Sequence, residues 1–307
     1  MTMNVKMAVG AVALCTCVAQ AWQVPSWDAR ITEAGAIKEW SDKPLCGHKG
    51  KTWCGHVQGM CVSSNAMYFS FHTQILKTDW YGRTLATVDT DPHGGDICIW
   101  NGRLYTGDVY RAKVKGEKNH ARISVYDAET LKLIGHYPIE GWSGAADGIT
   151  CLDGVIYLGM GRVSPPGNKC WYGKFDAETL KPIGKPFIVD HGYDSTHGSQ
   201  NLTTDGTYFY SAHYCEDESA NTPCFIVMDR DFNVVGRHVF GWRQGIDVVP
   251  GGKDGAVRFI YCTTINWMSS KIKPDLPVMA LVQFAELKNG KITDITRHCI
   301  FPKPLDR

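Results

Sequence analysis

The strongest constraint on this chain is that it repeats itself. The stretch His56, Val57, Gln58, Gly59, Met60, Cys61, followed by Met67 to His72, recurs with His93-Gly94-Gly95-Asp96-Ile97-Cys98, with Ala146-Asp147-Gly148-Ile149-Thr150-Cys151, with His197-Gly198-Ser199-Gln200-Asn201-Leu202, and with Arg243-Gln244-Gly245-Ile246-Asp247. In the first four copies an apolar residue (Met60, Ile97, Ile149, Leu202) stands eight positions before a tyrosine (Tyr68, Tyr105, Tyr157, Tyr210). In the fifth the spacing is stretched by residues 250–255. A repeat too small to bury its own apolar face must stack on its neighbours, so the repeat sets the architecture.

Each copy reads as β structure. Short apolar strands are separated by turns such as Asn101-Gly102, Asp153-Gly154 and Asp205-Gly206, whose residues accept the positive φ of a tight hairpin. The second half of each copy repeats too: Tyr126-Asp127-Ala128-Glu129-Thr130-Leu131 matches Phe175-Asp176-Ala177-Glu178-Thr179-Leu180, with a looser version around Asp229. Helical periodicity is nearly absent. Four strands in each of five units predict an all-β, five-bladed β-propeller over residues 55–307; the alternative is a six-bladed ring in which residues 22–54 and the C-terminus make a degenerate blade. A segment such as Arg30 to Trp40 is a candidate closing strand.

The repeat resembles the exported β-propellers that include quinoprotein-like and glutamine-cyclotransferase-like rings. Gln58-Gly59-Met60 followed by Met67-Tyr68-Phe69-Ser70 is similar to the start of the five-bladed glutaminyl cyclases. Those enzymes carry a glutamate beside the equivalent aromatic, where this chain has Phe69, so their activity is not implied. The resemblance implies fold alone.

Residues 1–21 read as an export signal: Lys6, an apolar run from Met7 to Ala19, and a small-x-small pattern at Ala19-Gln20-Ala21. The expected mature chain starts near Trp22 and is secreted or periplasmic. It holds ten cysteines, with Cys215 and Cys224 the first candidate disulfide and Cys46 with Cys54 the second; Cys61, Cys98 and Cys151 fall on apolar strands and read as buried thiols. A net charge of +1 with no block of like charges gives no footprint for nucleic acid or an anionic membrane surface. Phosphate loops, dinucleotide fingerprints and Gly-x-Ser-x-Gly elbows are absent.

In a propeller, the residues leading into each first strand surround one mouth of the ring. Here they are His56, Gln58, His93, Asp96, Asp147, His197, Gln200, Arg243 and Gln244. His72 follows His56 by 16 residues, and His213 follows His197 by 16, which predicts that blades 1 and 4 each return a histidine to that mouth. Imidazole exchanges protons near neutrality. The expected function is therefore a carbohydrate-acting enzyme, a lyase or hydrolase on an extracellular glycan or small ligand. His56 or His197 moves the proton, Tyr68 or Tyr210 assists, and Arg243 neutralises a carboxylate. Gln58, His93, Asp96, Asp147, Gln200 and Gln244 orient the substrate, and Trp142 and Trp242 offer stacking faces. For hydrolysis, Asp96 with Asp147 is the candidate carboxylate pair. A divalent metal, zinc or calcium, held by His56, His72, His197 and His213 with Asp96 is a further expectation. The competing reading is a non-catalytic propeller that binds a glycan, peptide or protein.

Overall fold

A computed structural model of the chain describes residues 56–80, 82–91, 93–112, 115–142, 144–162, 169–192, 198–213, 224–240, 244–249, 255–265 and 279–294. They form twenty strands in five four-stranded antiparallel sheets, and no helix occurs among them. Blade 1 is β1 (Val57–Val62), β2 (Met67–Phe71), β3 (Gln74–Thr78) and β4 (Thr84–Asp89). Blade 2 is β5 (Gly94–Trp100), β6 (Arg103–Tyr110), β7 (His120–Asp127) and β8 (Leu133–Pro138). Blade 3 is β9 (Ile149–Leu152), β10 (Val155–Arg162), β11 (Lys169–Asp176) and β12 (Phe187–Asp190). Blade 4 is β13 (Ser199–Thr204), β14 (Phe209–His213), β15 (Phe225–Met228) and β16 (Val234–His238). Blade 5 is β17 (Ile246–Val249), β18 (Val257–Ile265), β19 (Met279–Lys288) and β20 (Lys291–Asp294).

The first strands make the inner ring: β1 lies against β5, β5 against β9, β9 against β13, β13 against β17, and β17 against β1. Val57 N–H donates to Thr264 Oγ1 at 2.8 Å across that last junction. Blade 5 thus abuts blade 1 directly, which leaves no place for a sixth blade. All four of its strands come from residues 246–294; Arg30 to Trp40 lie outside the described residues.

The turns follow the sequence closely. Asn101 and Gly102 take φ of 48° and 73°, and Asp153 and Gly154 take 52° and 76°, the two consecutive left-handed residues of a type I′ hairpin. Asp205 departs from this. Its carboxylate instead accepts from the Thr207 and Tyr208 amides, so the turn is held by a side chain. In the Asp-Ala-Glu-Thr-Leu turns, Asp127 and Asp176 each accept from the amide and hydroxyl of the threonine three residues on. Leu131 and Leu180 then adopt positive φ, a strained state that places both side chains in the hydrophobic clusters.

Those clusters explain why the blades stack. There are five, one at each junction: blades 1 and 2 share Cys61, Tyr68, Ile97 and Leu104, blades 2 and 3 share Tyr105, Ile123, Ile149 and Ile156, and the remaining three seams are filled in the same way. The repeated tyrosine closes each of the first two seams. Tyr68 Oη donates to Ala128 O at 3.0 Å in the next blade, and Tyr105 Oη donates to Ala177 O at 2.9 Å in the blade after that. The alanine of the second motif is therefore the landing site for the tyrosine of the first. Tyr105→Phe should cost about 1–2 kcal/mol in chemical denaturation, because a buried carbonyl loses its donor while the ring still fits.

Candidate functional site

The mouth is the end of the ring at which β1, β5, β9 and β13 begin and β2, β6, β10 and β14 finish. Just inside it the axis is filled. Asp96, 1% exposed, reaches from blade 2 to accept from Leu202 N–H of blade 4 at 2.9 Å and Ile149 N–H of blade 3 at 3.3 Å. Asn201, also buried, donates to Gln58 O of blade 1 at 2.8 Å. Glycines permit this crowding: a Cβ on Gly59 would fall on Asp96, and one on Gly107 on Ala146 O. Asp247 ties three more segments, accepting from Thr203 Oγ1 at 2.5 Å, Val62 N–H at 2.9 Å and its neighbour Val248 N–H at 2.9 Å. Burial pushes both carboxyls up, Asp96 well above the usual carboxylate range and Asp247 to about 6.

This corrects the expected substrate-orienting set. Gln58, Asp96, Asp147, Gln200 and Gln244 are all buried. Gln200 Nε2 donates to Asp147 Oδ2 at 3.1 Å, and Gln244 Oε1 accepts from Thr264 N–H at 2.7 Å. Asp96, Asp147, Gln200 and Gln244 brace the inner ring, while the Gln58 side chain turns to His56. Asp96 with Asp147 is no pair of mouth carboxylates, because the Asp96 carboxyl is engaged by two other blades and its amide donates to Asp147 O.

Above that floor, blades 1 and 2 bring three histidines together. The His56 and His72 ring centroids are 5.3 Å apart, and those of His72 and His93 4.9 Å. The backbone makes the alignment: His72 O accepts from His93 N–H at 2.8 Å and Gly94 N–H at 3.4 Å, and His93 takes a φ of 78° that turns it out of the strand line. His56 Nδ1 lies 2.9 Å from Val57 O and its Nε2 3.4 Å from Gln58 Nε2. Since the carbonyl only accepts and the amide NH2 only donates, these contacts select the neutral ring with its proton on Nδ1. His93 Nδ1 is buried and has no hydrogen-bond partner among the described residues. All three side chains are half-buried, within reach of solvent.

A charged network flanks the row. Gly94 pairs with Asp108 in the β5–β6 register, and Asp108 accepts from Arg122 Nε at 2.5 Å and from Ser124 Oγ. Arg122 also donates to Asp91 at 2.9 Å, and Ser124 Oγ lies 2.7 Å from His136 Nδ1.

His213 does not face this row. Although the 16-residue spacing matches His56 to His72, strand pairing sets Ser199 opposite His213, as Val57 is opposite Phe71. His213 is therefore the counterpart of Phe71. One residue of offset turns a side chain to the other face of a strand, so His213 is buried where His72 is half-buried. It joins a second group that its sequence neighbours do not announce: one ligand atom each from Cys170, His191 and His213 lies within 4.8 Å of the others, and all three residues are buried. The His191 and His213 rings meet edge to face, 4.5 Å between centroids. Tyr172 Oη is 3.3 Å from His191 Nε2, and Ser211 Oγ is 2.9 Å from His213 Nε2. Burial lowers both histidines, His191 to about 4 and His213 well below the usual imidazole value. Sulfur and nitrogen donors of this kind can hold a transition metal; calcium, which takes oxygen ligands, does not fit. The expected set of His56, His72 and His213 with Asp96 is not assembled.

The remaining expectations fall elsewhere. Tyr68 and Tyr210 are almost fully buried: Tyr68 is in the first seam, with its hydroxyl pushed up to about 12, and the Tyr210 hydroxyl donates to Asp205 at 2.8 Å. Neither is a mouth acid or base. Trp142, half-buried, meets Trp171 edge to face and donates its Nε1–H to Ala145 O. Cys61 and Cys98 are buried thiols; Cys151 is half-buried. Cys224 is disulfide-bonded, while Cys215, His197, Trp242 and Arg243 lie outside the described residues.

No protein-family model matches the chain, and no curated protein sequence matches it. Solved structures similar in fold include the hydrazine synthase of Kuenenia stuttgartiensis, at 14% identity and a TM-score of 0.45, with 83% of this chain and 70% of that one covered. BamB from Moraxella catarrhalis is similar at 11% identity and a TM-score of 0.36, over 76% of this chain and 61% of that one. The quinohemoprotein alcohol dehydrogenase of Comamonas testosteroni is similar at 15% identity and a TM-score of 0.39, over 78% of this chain but 41% of its own length.

Proposed function

We propose that this propeller is a secreted or periplasmic enzyme that binds a hydroxyl-rich ligand, an extracellular glycan, over blades 1 and 2 and moves protons on it through the histidine row. The observation that carries the reading is the alignment of His56, His72 and His93, three imidazoles from three separate segments, with His93 Nδ1 buried and without a hydrogen-bond partner among the described residues. A fold that spends its other polar side chains on bracing has little structural reason to gather these three half-exposed rings.

An eliminating lyase suits them better than a hydrolase. Elimination needs one base and one acid, which adjacent imidazoles supply, whereas hydrolysis needs two available carboxylates, and those beside the row, Asp91 and Asp108, are both engaged by Arg122. Arg243 remains the candidate partner for a substrate carboxylate, and residues 1–21 the reason to place the protein outside the cytosol.

His93→Asn is the informative variant, because asparagine tolerates a left-handed backbone. Turnover of the responding glycan should fall about 10²–10⁴-fold, with binding by calorimetry little changed. Equal turnover in wild type and variant would overturn the assignment. Glycan binding without turnover in the wild-type protein would instead identify a non-catalytic lectin-like propeller.

A further inference from the structure

We infer that Cys170, His191 and His213 form a zinc site that staples blade 3 to blade 4. Cys170 is the second residue of β11, His191 follows the end of β12, and His213 closes β14, so the three come from separate segments on both sides of one seam. Their ligand atoms lie within 4.8 Å of one another. Around a tetrahedral zinc with bonds of about 2.0–2.3 Å, neighbouring ligand atoms stand about 3.5 Å apart, so side-chain adjustments of about 1 Å bring the three donors to bonding distance.

The repeat itself shows that the thiol is not a packing requirement. Gly107 pairs with Ile123 in blade 2, and Gly159 pairs with Tyr172 in blade 3. Two residues before each of these partners stand Ala121 and Cys170, so the same framework position is filled by a methyl in one blade and a thiol in the next. The surroundings are built as well: Tyr172 Oη at His191 Nε2, Ser211 Oγ at His213 Nε2, the Gly198 carbonyl at the His213 ring and Ser199 Oγ at 2.7 Å from Ser211 hold both rings in place, as polar groups around metal-bound histidines do. One thiolate and two imidazoles are a zinc donor set. Three protein donors leave the fourth tetrahedral position to a water, and the burial of all three residues marks a resident ion rather than an exchangeable substrate metal.

The test uses the full mature chain expressed without a polyhistidine tag. Metal analysis should find about one zinc per chain, and removal by a strong chelator should lower the melting temperature by about 5 °C or more. Replacing zinc with cobalt should give a thiolate-to-cobalt charge-transfer band in the near ultraviolet. Cys170→Ser should abolish that band, and His191→Gln, which removes a ligand, should weaken zinc binding by more than the roughly 10–100-fold that loss of an outer-shell partner costs. His93→Asn, in the other cluster, should keep full stoichiometry. Near-ultraviolet circular dichroism establishes that each variant is folded. A folded wild-type chain that takes up no zinc or cobalt overturns the inference, which needs no variant. So does metal retained unchanged by folded Cys170→Ser and His191→Gln, since the ion would then lie elsewhere.

Discussion

Gly59→Ala should abolish folding or destabilise the chain by more than about 4 kcal/mol, one of the largest effects expected of a single methyl group. A Cβ at Gly59 would coincide with the Cα and Oδ1 of Asp96 and lie 2.9 Å from Ile97 N. Two of the colliding atoms are backbone, on an inner strand packed between blades 1 and 3, and cannot swing away. Relief would require β1 and β5 to separate, which would also pull Asp96 off its bonds to blades 3 and 4. The control is Gly102→Ala, where the methyl meets nothing within 4 Å and the cost, about 1 kcal/mol, comes only from a φ of 73°. Urea unfolding of the two variants separates steric collision from backbone preference. Similar losses in both would mean that the inner strands are not in contact.

The second large effect concerns the carboxyl that Gly59 makes room for. Asp96→Ala should cost about 3–5 kcal/mol, because it leaves the Leu202 and Ile149 amides buried without an acceptor. Asp96→Asn should cost no more than about 1 kcal/mol at neutral pH. Burial pushes the Asp96 carboxyl well above the usual carboxylate range, which favours its neutral form, and an amide keeps the carbonyl that receives both bonds. The pH dependence gives an independent check. Between the ordinary carboxylate value in the unfolded chain and the raised value in the folded one, the folded state holds a proton that the unfolded state has released. Wild-type stability therefore declines as pH rises through that window, and Asp96→Asn removes this part of the decline. If asparagine and alanine cost the same, the carboxyl is ionised and the axis is held together by charge.

The histidine row and the zinc staple differ in how they could be read from the chain. His56 and His93 stand at the head of repeated units, so position in the repeat was enough to put them at one mouth; His72 came with them because it ends the hairpin that His56 begins. Cys170, His191 and His213 are separated by 21 and 22 residues, follow no repeat position and match no ligand spacing. Only the folding of blade 3 onto blade 4 makes them neighbours. The periodic tyrosines were misleading for the opposite reason. Their strict spacing places them in the blade seams, where Tyr68 and Tyr105 donate to an alanine carbonyl of the next blade, and a residue repeated for packing is poorly placed to serve a single site.

What the sequence determined by itself is the architecture: the eight-residue interval from apolar anchor to tyrosine, the Asn-Gly and Asp-Gly hairpins and the Asp-Ala-Glu-Thr-Leu turns together specify antiparallel blades that must stack, since each unit exposes an apolar face it cannot bury alone. What the tertiary structure decided is which polar residues brace the ring and which remain for chemistry. Gln58, Asp96, Asp147, Gln200 and Gln244 have the residue types of a binding site, yet closing five blades around one axis buries them: Asp96 and Gln244 accept from backbone amides, Gln200 bonds Asp147, and Gln58 lies against His56. Strand register then sends His72 toward the mouth and His213 into a seam. Register and ring closure depend on contacts between residues far apart in the chain, and local spacing carries no record of them.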